Sequence, residues 1–136
     1  MPSLSLRIHL DPEGRIGPGK VELLERIAAF GSIAAAGRAM GMSYRRAWEL
    51  VEELNAIFGK PVVERQVGGK QGGGAKLTTL GLALISRYRA VETAAAEVAK
   101  AHLAALQVEV DRPIDEAAPD PAQFDEALDT SAGLAR

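Results

Sequence analysis

Gly31-Ser32-Ile33-Ala34-Ala35-Ala36-Gly37-Arg38-Ala39-Met40-Gly41-Met42-Ser43-Tyr44-Arg45-Arg46-Ala47-Trp48 is the stretch whose reading decides the fold. Ser32 is placed to cap a helix over Ile33 to Met40, and Gly41 breaks that helix. Ser43 caps another, running to about Ile57, where Gly59 and Pro61 stop it. Two helices joined by so short a corner cross closely, so small residues must stand where their backbones meet; Ala36, Gly37 and Gly41 supply them. Met40, Met42, Ala47 and Leu50 fall on the faces turned toward the rest of the core. The pattern is that of a helix-turn-helix.

The outer face of the later helix opens with Ser43-Tyr44-Arg45-Arg46, and in this motif that first turn is the part that enters a major groove. Arginines there reach guanine edges in bidentate fashion or hold phosphates, and Ser43 with the helix N-terminus suits a phosphate oxygen. Each part also has a plainer reading. Paired arginines are usually a solvated face, and Trp48 and Met40 at helical spacing read as core. The order of the parts decides for nucleic acid.

Working outward toward the N-terminus, Leu4, Leu6, Ile8 and Leu10 alternate with Ser5, Arg7 and His9, the period of a half-buried strand. Asp11-Pro12-Glu13-Gly14 follows as a turn, with a brief second strand at Arg15 and Ile16. Pro18 opens a helix in which Val21, Leu24, Ile27 and Ala28 recur at helical spacing, and Gly31 closes it. On the other side, Val62 to Gln66 and Ala75 to Thr78 read as two strands around a run with five glycines among its seven residues, 68–74. Lys70 and Lys76 lie on this hairpin, the wing that would flank a duplex. The glycine run is not a phosphate loop, because it leads through Ala75-Lys76 into a strand and lacks the lysine-serine/threonine ending.

From Thr79 the chain reads as a helix to about Leu106, carrying a seam of Leu84, Tyr88, Val91, Ala95, Val98, His102 and Ala105. A helix of that length, roughly 42 Å, is too long to be buried wholly against so small a domain. The same helix of a second copy is its expected partner, in a two-fold homodimer whose interface comprises Leu84, Tyr88, Val91, Ala95, Val98 and His102. Such a dimer presents its reading helices to successive major grooves and reads a palindromic operator.

Composition bounds the function classes. The 136 residues are 47% hydrophobic and 25% charged, the balance of a globular chain. With no cysteine and only His9 and His102, metal-thiolate sites and thiol catalysis are excluded and no metal or cofactor is expected. No nucleophile–base pair or convergent carboxylate pair is visible, so no enzyme is expected. The N-terminus lacks the pattern of a signal peptide and no apolar run approaches the ~20 residues of a membrane span. A cytoplasmic protein without membrane contact is expected. The net charge of −2 hides an asymmetry: residues 107–136 carry eight acids against two basic residues, while residues 1–106 carry 14 basic and 10 acidic. An acidic tail on a basic body fits a solvated segment, a competitor for the basic face, or a contact for a separate sensor protein.

The stretch Leu24 to Leu80 resembles the N-terminal winged helix of the molybdate-responsive ModE regulators, and more distantly the DNA-binding domain of LysR-type regulators. The matching text is Gly31-Ser32-Ile33, Gly41 to Trp48, Val63-Glu64-Arg65 entering the wing, and the wing itself from Gly68 to Thr78. The resemblance implies a sequence-specific transcriptional regulator of double-stranded DNA, linked to molybdenum metabolism. By position it implies DNA contacts at Ser43, Tyr44, Arg45, Arg46, Arg65, Lys70 and Lys76. ModE proteins continue into molybdate-binding β-barrels; here about thirty acidic, proline-punctuated residues follow the helix, so direct molybdate sensing by this chain is not expected. The expected architecture is mainly α with small β: a winged helix-turn-helix over 1–78, a long dimerisation helix over 79–107 and an acidic, flexible tail over 108–136. A winged helix serving protein interaction and a non-specific DNA-binding protein are the competing readings.

Overall fold

The computed structural model describes residues 1–66 and 74–114. Along the described chain the order is β1 (Ile8–Leu10), β2 (Gly14–Ile16), α1 (Pro18–Phe30), α2 (Ile33–Ala39), α3 (Tyr44–Phe58), β3 (Val63–Gln66), β4 (Gly74–Leu77) and α4 (Thr79–Asp111). Both strand pairs are antiparallel, β1 with β2 and β3 with β4. Met1–Ala101 form one compact unit; from His102 the chain belongs to a second unit, whose described residues carry α4 on to Asp111. The architecture is a winged helix-turn-helix with a long C-terminal helix.

The core of the first unit is the sum of single faces. α1 contributes Val21, Leu23, Leu24 and Ile27, α3 contributes Ala47, Val51 and Leu54, and the wing strands contribute Val63, Ala75 and Leu77. Local caps set the ends of the helices. Gly31 takes a left-handed φ of 68° after α1 and its N–H returns to the Ile27 carbonyl at 2.8 Å. The wing is bound to this frame through its backbone: Ala75 N donates to the Gly31 carbonyl at 2.9 Å, and Val62 N donates to Asn55 Oδ1 at 2.8 Å. Thr78 N donates to the Val62 carbonyl at 3.0 Å. Thr78 Oγ1 donates to the Pro61 carbonyl at 2.8 Å and accepts from Gly81 N at 3.1 Å, so one side chain joins the wing to the start of α4. Gly81 stands so close to β3 that a Cβ there would overlap the Val62 carbonyl.

Three expectations from the sequence need correction. The alternating stretch from Leu4 forms a strand only at Ile8–Leu10, because its partner β2 is three residues long and pairs Ile8 with Ile16. The carbonyl of Leu6 is taken instead by the Tyr88 hydroxyl, at 2.8 Å. The long helix runs past Leu106 to Asp111, two residues before Pro113; the residue before a proline is pushed out of the helical region, so the helix stops there. The third correction concerns the seam. Leu84 and Tyr88 are buried in the protomer's own core, Tyr88 completely, and neither side chain is available to a second copy. The apolar stripe beyond them is open: Val91 is 48% and Val98 76% exposed, Ala95 is half-buried and His102 exposed.

Arg89, one residue past Tyr88, clamps α4 to α1. Its Nη2 and Nε donate to the two Glu25 carboxylate oxygens at 2.6 and 3.2 Å, and its Nη1 donates to Glu92 at 2.7 Å. These bonds, that with Glu25 first, raise the Arg89 pKa further above its ordinary value.

Candidate nucleic-acid interface

The corner between α2 and α3 is built as its sequence requires. Gly41 holds a φ of 72°, a left-handed conformation that any side chain would strain, and Met42 N donates to the Gly37 carbonyl at 2.9 Å. A Cβ on Gly37 would meet the Cβ of Ala47 at 3.0 Å, so the two helices approach within the space a glycine leaves. Ser32 and Ser43 cap α2 and α3, their hydroxyl oxygens accepting from Ala35 N and Arg46 N, each at 3.1 Å. Ser43 is thereby committed as an acceptor, and its remaining use toward a phosphate is as a hydroxyl donor.

This corner carries α3 outward. Tyr44 is about half exposed, and the side chains of Arg45 and Arg46 are 89% and 53% exposed. Behind them Ala47 is fully buried, so the first turn of α3 divides cleanly between core and solvent. Arg65 reaches the same place from β3. Its Nη2 donates to the Tyr44 hydroxyl at 2.7 Å and its guanidinium lies 4.2 Å from the centre of the Trp48 ring. Tyr44 and Arg65 thus meet at the junction of α3 and the wing, while Arg45 and Arg46 stand exposed beside them on the first turn of α3 and pair with Glu49. Lys76 is exposed on β4, paired across the ladder with Glu64. Lys70 lies outside the described residues.

Two members of this face went unread in the sequence. Trp48 is not simply core: half-buried, it is the platform on which Arg65 stacks. Its signal is the spacing from Tyr44, one helical turn, which aligns both rings beside the wing. Glu49 is the other. It lies 3.4 Å from Arg45 Nε and 3.5 Å from Arg46 Nη1, at the i+4 and i+3 spacings that allow both contacts.

Fold and site together define a class, the winged helix-turn-helix with a basic, exposed first turn on its second motif helix. Residues 19–82 match the family model "Bacterial regulatory helix-turn-helix protein, lysR family". Curated relatives match the same part. The molybdenum-pterin-binding protein MopA of Rhodobacter capsulatus is 45% identical over 80 residues, which cover 59% of this chain and 30% of that protein. The DNA-binding transcriptional dual regulator ModE of Escherichia coli K12 is 44% identical over 71 residues, covering 52% of this chain and 27% of the relative. The N-terminal part is thus consistent with the DNA-binding domain of a ModE-type regulator. The chain spans about a third or less of the curated relatives it matches. Among solved structures, the CbnR_DBD–DNA complex superposes with a TM-score of 0.51 at 22% identity, over 65% of this chain and 95% of that one, a likeness of fold. The full-length regulator LysG of Corynebacterium glutamicum with bound effector Arg gives 0.50 at 26% identity, over 69% of this chain and 30% of that one.

Proposed function

We propose that this chain is the DNA-binding part of a ModE-type transcriptional regulator. It acts on double-stranded DNA in the cytoplasm and by binding, without catalysis. The observation that carries the reading is the exposed head of α3, with Tyr44, Arg45 and Arg46 in its first turn and Arg65 reaching Tyr44 from the wing. In this reading α3 enters the major groove with its first turn, where arginine forks match guanine edges. Ser43 and Arg65 hold the flanking backbone, and the wing with Lys70 and Lys76 lies against the backbone or minor groove. Among the described residues no helix is long and apolar enough to cross a membrane.

The regulator works as a homodimer in this reading, paired through the open stretch of α4 at Val91, Ala95, Val98 and His102. The supporting observation is the exposure of Val91 and Val98 on a helix of 33 residues, roughly 50 Å long. A two-fold pair spaces the reading helices for a palindrome with half-sites about 34–36 Å apart. The link to molybdenum rests on the names of the relatives MopA and ModE.

The test is affinity selection of genomic fragments by the purified protein, with and without molybdate. Enrichment of a palindromic site supports the regulator, and a molybdate effect would place sensing within this chain. Binding that is salt-sensitive and sequence-independent contradicts the regulator in favour of a non-specific DNA-binding protein. No binding at low salt leaves the winged helix as a protein-interaction module.

A further inference from the structure

The outer face of α3 carries an alternating line of charge that continues to α1. Arg45 Nε lies 3.4 Å from Glu49 Oε1, and Arg46 Nη1 lies 3.5 Å from Glu49 Oε2 and 3.9 Å from Glu53 Oε1. Glu53 Oε2 in turn lies 3.1 Å from Lys20 Nζ. Glu49 is the joint of this line, since its two oxygens each take one of the arginines at the head of the proposed reading helix. Its side chain is about half exposed. Ion pairs as open to water as these add little to folding stability. Their geometry acts elsewhere: they restrict the guanidiniums at the point where those groups are most exposed.

We infer that Glu49 is a specificity-determining residue of the DNA interface, orienting Arg45 and Arg46 toward base edges and withholding them from sequence-independent phosphate contacts. The inference rests on the DNA-binding reading above. A guanidinium without a carboxylate beside it is drawn to any phosphate, and each phosphate it neutralises releases counterions whatever the sequence. A guanidinium bonded to a carboxylate has part of its charge offset and its plane aligned. Arg45 approaches Glu49 through Nε at 3.4 Å, and the terminal fork of a guanidinium is the part that grips the acceptor atoms of guanine. The carboxylate itself is repelled by the DNA backbone and accepts only from donors such as the cytosine amino group, which penalises misplaced binding.

Glu52 provides the matched control. It is an exposed acid on the same helix, but its carboxylate accepts from Asn55 Nδ2, at 3.2 Å. Glu49→Gln and Glu52→Gln remove the same charge, and only the first disturbs the arginines. The experiment measures each protein's affinity for the most enriched genomic duplex and for a random duplex of equal length, with circular dichroism to check the fold. Glu49→Gln should bind the random duplex more tightly and lose about tenfold in the ratio between the two duplexes, the scale of one base-reading contact. Glu52→Gln should tighten both alike and keep the ratio. A ratio unchanged in Glu49→Gln, or lowered equally in Glu52→Gln, overturns the inference. A wild-type protein without preference for the enriched duplex sinks the DNA-binding reading itself, and this inference with it.

Discussion

α3 and α4 both carry an apolar stripe, and they use it in opposite ways. In α3 the centre of the stripe is absorbed, with Ala47, Val51 and Leu54 fully buried and Trp48, Leu50, Ile57 and Phe58 partly so, and the opposite face is charged and headed by Arg45 and Arg46. In α4 the stripe is absorbed only at its start, through Gly81, Leu84 and Tyr88, and its continuation at Val91 and Val98 stands open to water. A helix whose apolar side is satisfied offers polar chemistry to a ligand. One whose apolar side is left over offers surface to a partner. The same contrast separates the arginines. Arg89 is gripped by Glu25 and Glu92 and fixes one helix to another, whereas Arg45 and Arg46 pair at the surface with Glu49 of their own helix.

The sharpest way to break the comparison is within α4. Tyr88→Ala should cost roughly 3–5 kcal/mol by emptying a fully buried site, with a large fall in Tm by circular dichroism. Val91→Glu with Val98→Glu, about one and three turns further on, should leave the protomer folded and weaken self-association on the order of a hundredfold, because like charges then face each other across the two-fold axis. Sedimentation equilibrium reads this, and a double variant that associates like wild type would remove the dimer from the account. At the α3 face, Trp48→Leu should weaken DNA binding about fivefold by withdrawing the ring beneath Arg65, the scale of an exposed cation–π contact. Arg65→Ala combined with Trp48→Leu should then cost little more than Arg65→Ala alone.

The smallest effect is with pH. Burial first, with the Glu92 charge second, raises the Tyr88 pKa above its ordinary value of 10.0, since the phenol must stay neutral to remain in the core. A raised folded-state value means that its share of stability is complete below about pH 10 and is lost as pH rises through the folded-state value. Alkaline melts of wild type should therefore show a loss of Tm above pH 10 that is smaller in Tyr88→Phe, which has no phenol to ionise.

Much of this was legible in the residues. The caps Ser32 and Ser43 and the breakers Gly31, Gly41 and Gly59 mark local events, so α1, α2 and α3 begin and end within a residue or so of where the sequence puts them. The head of α3 was legible for the same reason. Other features depend on what a segment meets in space. The alternation from Leu4 could not reveal that β2 is too short to pair with Leu4 or Leu6. Periodicity laid out the α4 stripe but could not divide it, because the division is made where Leu84 and Tyr88 join the protomer's core and Tyr88 reaches the Leu6 carbonyl. Trp48 read as core because its partner Arg65 arrives from a strand 17 residues later, and Glu49 went unread because a carboxylate near two arginines looks like an ordinary solvated pair. The acidic segment beyond residue 114, with its expected sensor contact, lies outside the described residues.

The central claim is that the head of α3 reads DNA, and fluorescence anisotropy of a labelled, genome-selected duplex tests it most directly, comparing wild type with the Arg45→Ala, Arg46→Ala double variant at one fixed salt concentration. The account predicts a loss of about a hundredfold or more in affinity, with the circular dichroism spectrum and Tm unchanged. A double variant that folds and binds the duplex as tightly as wild type would contradict it.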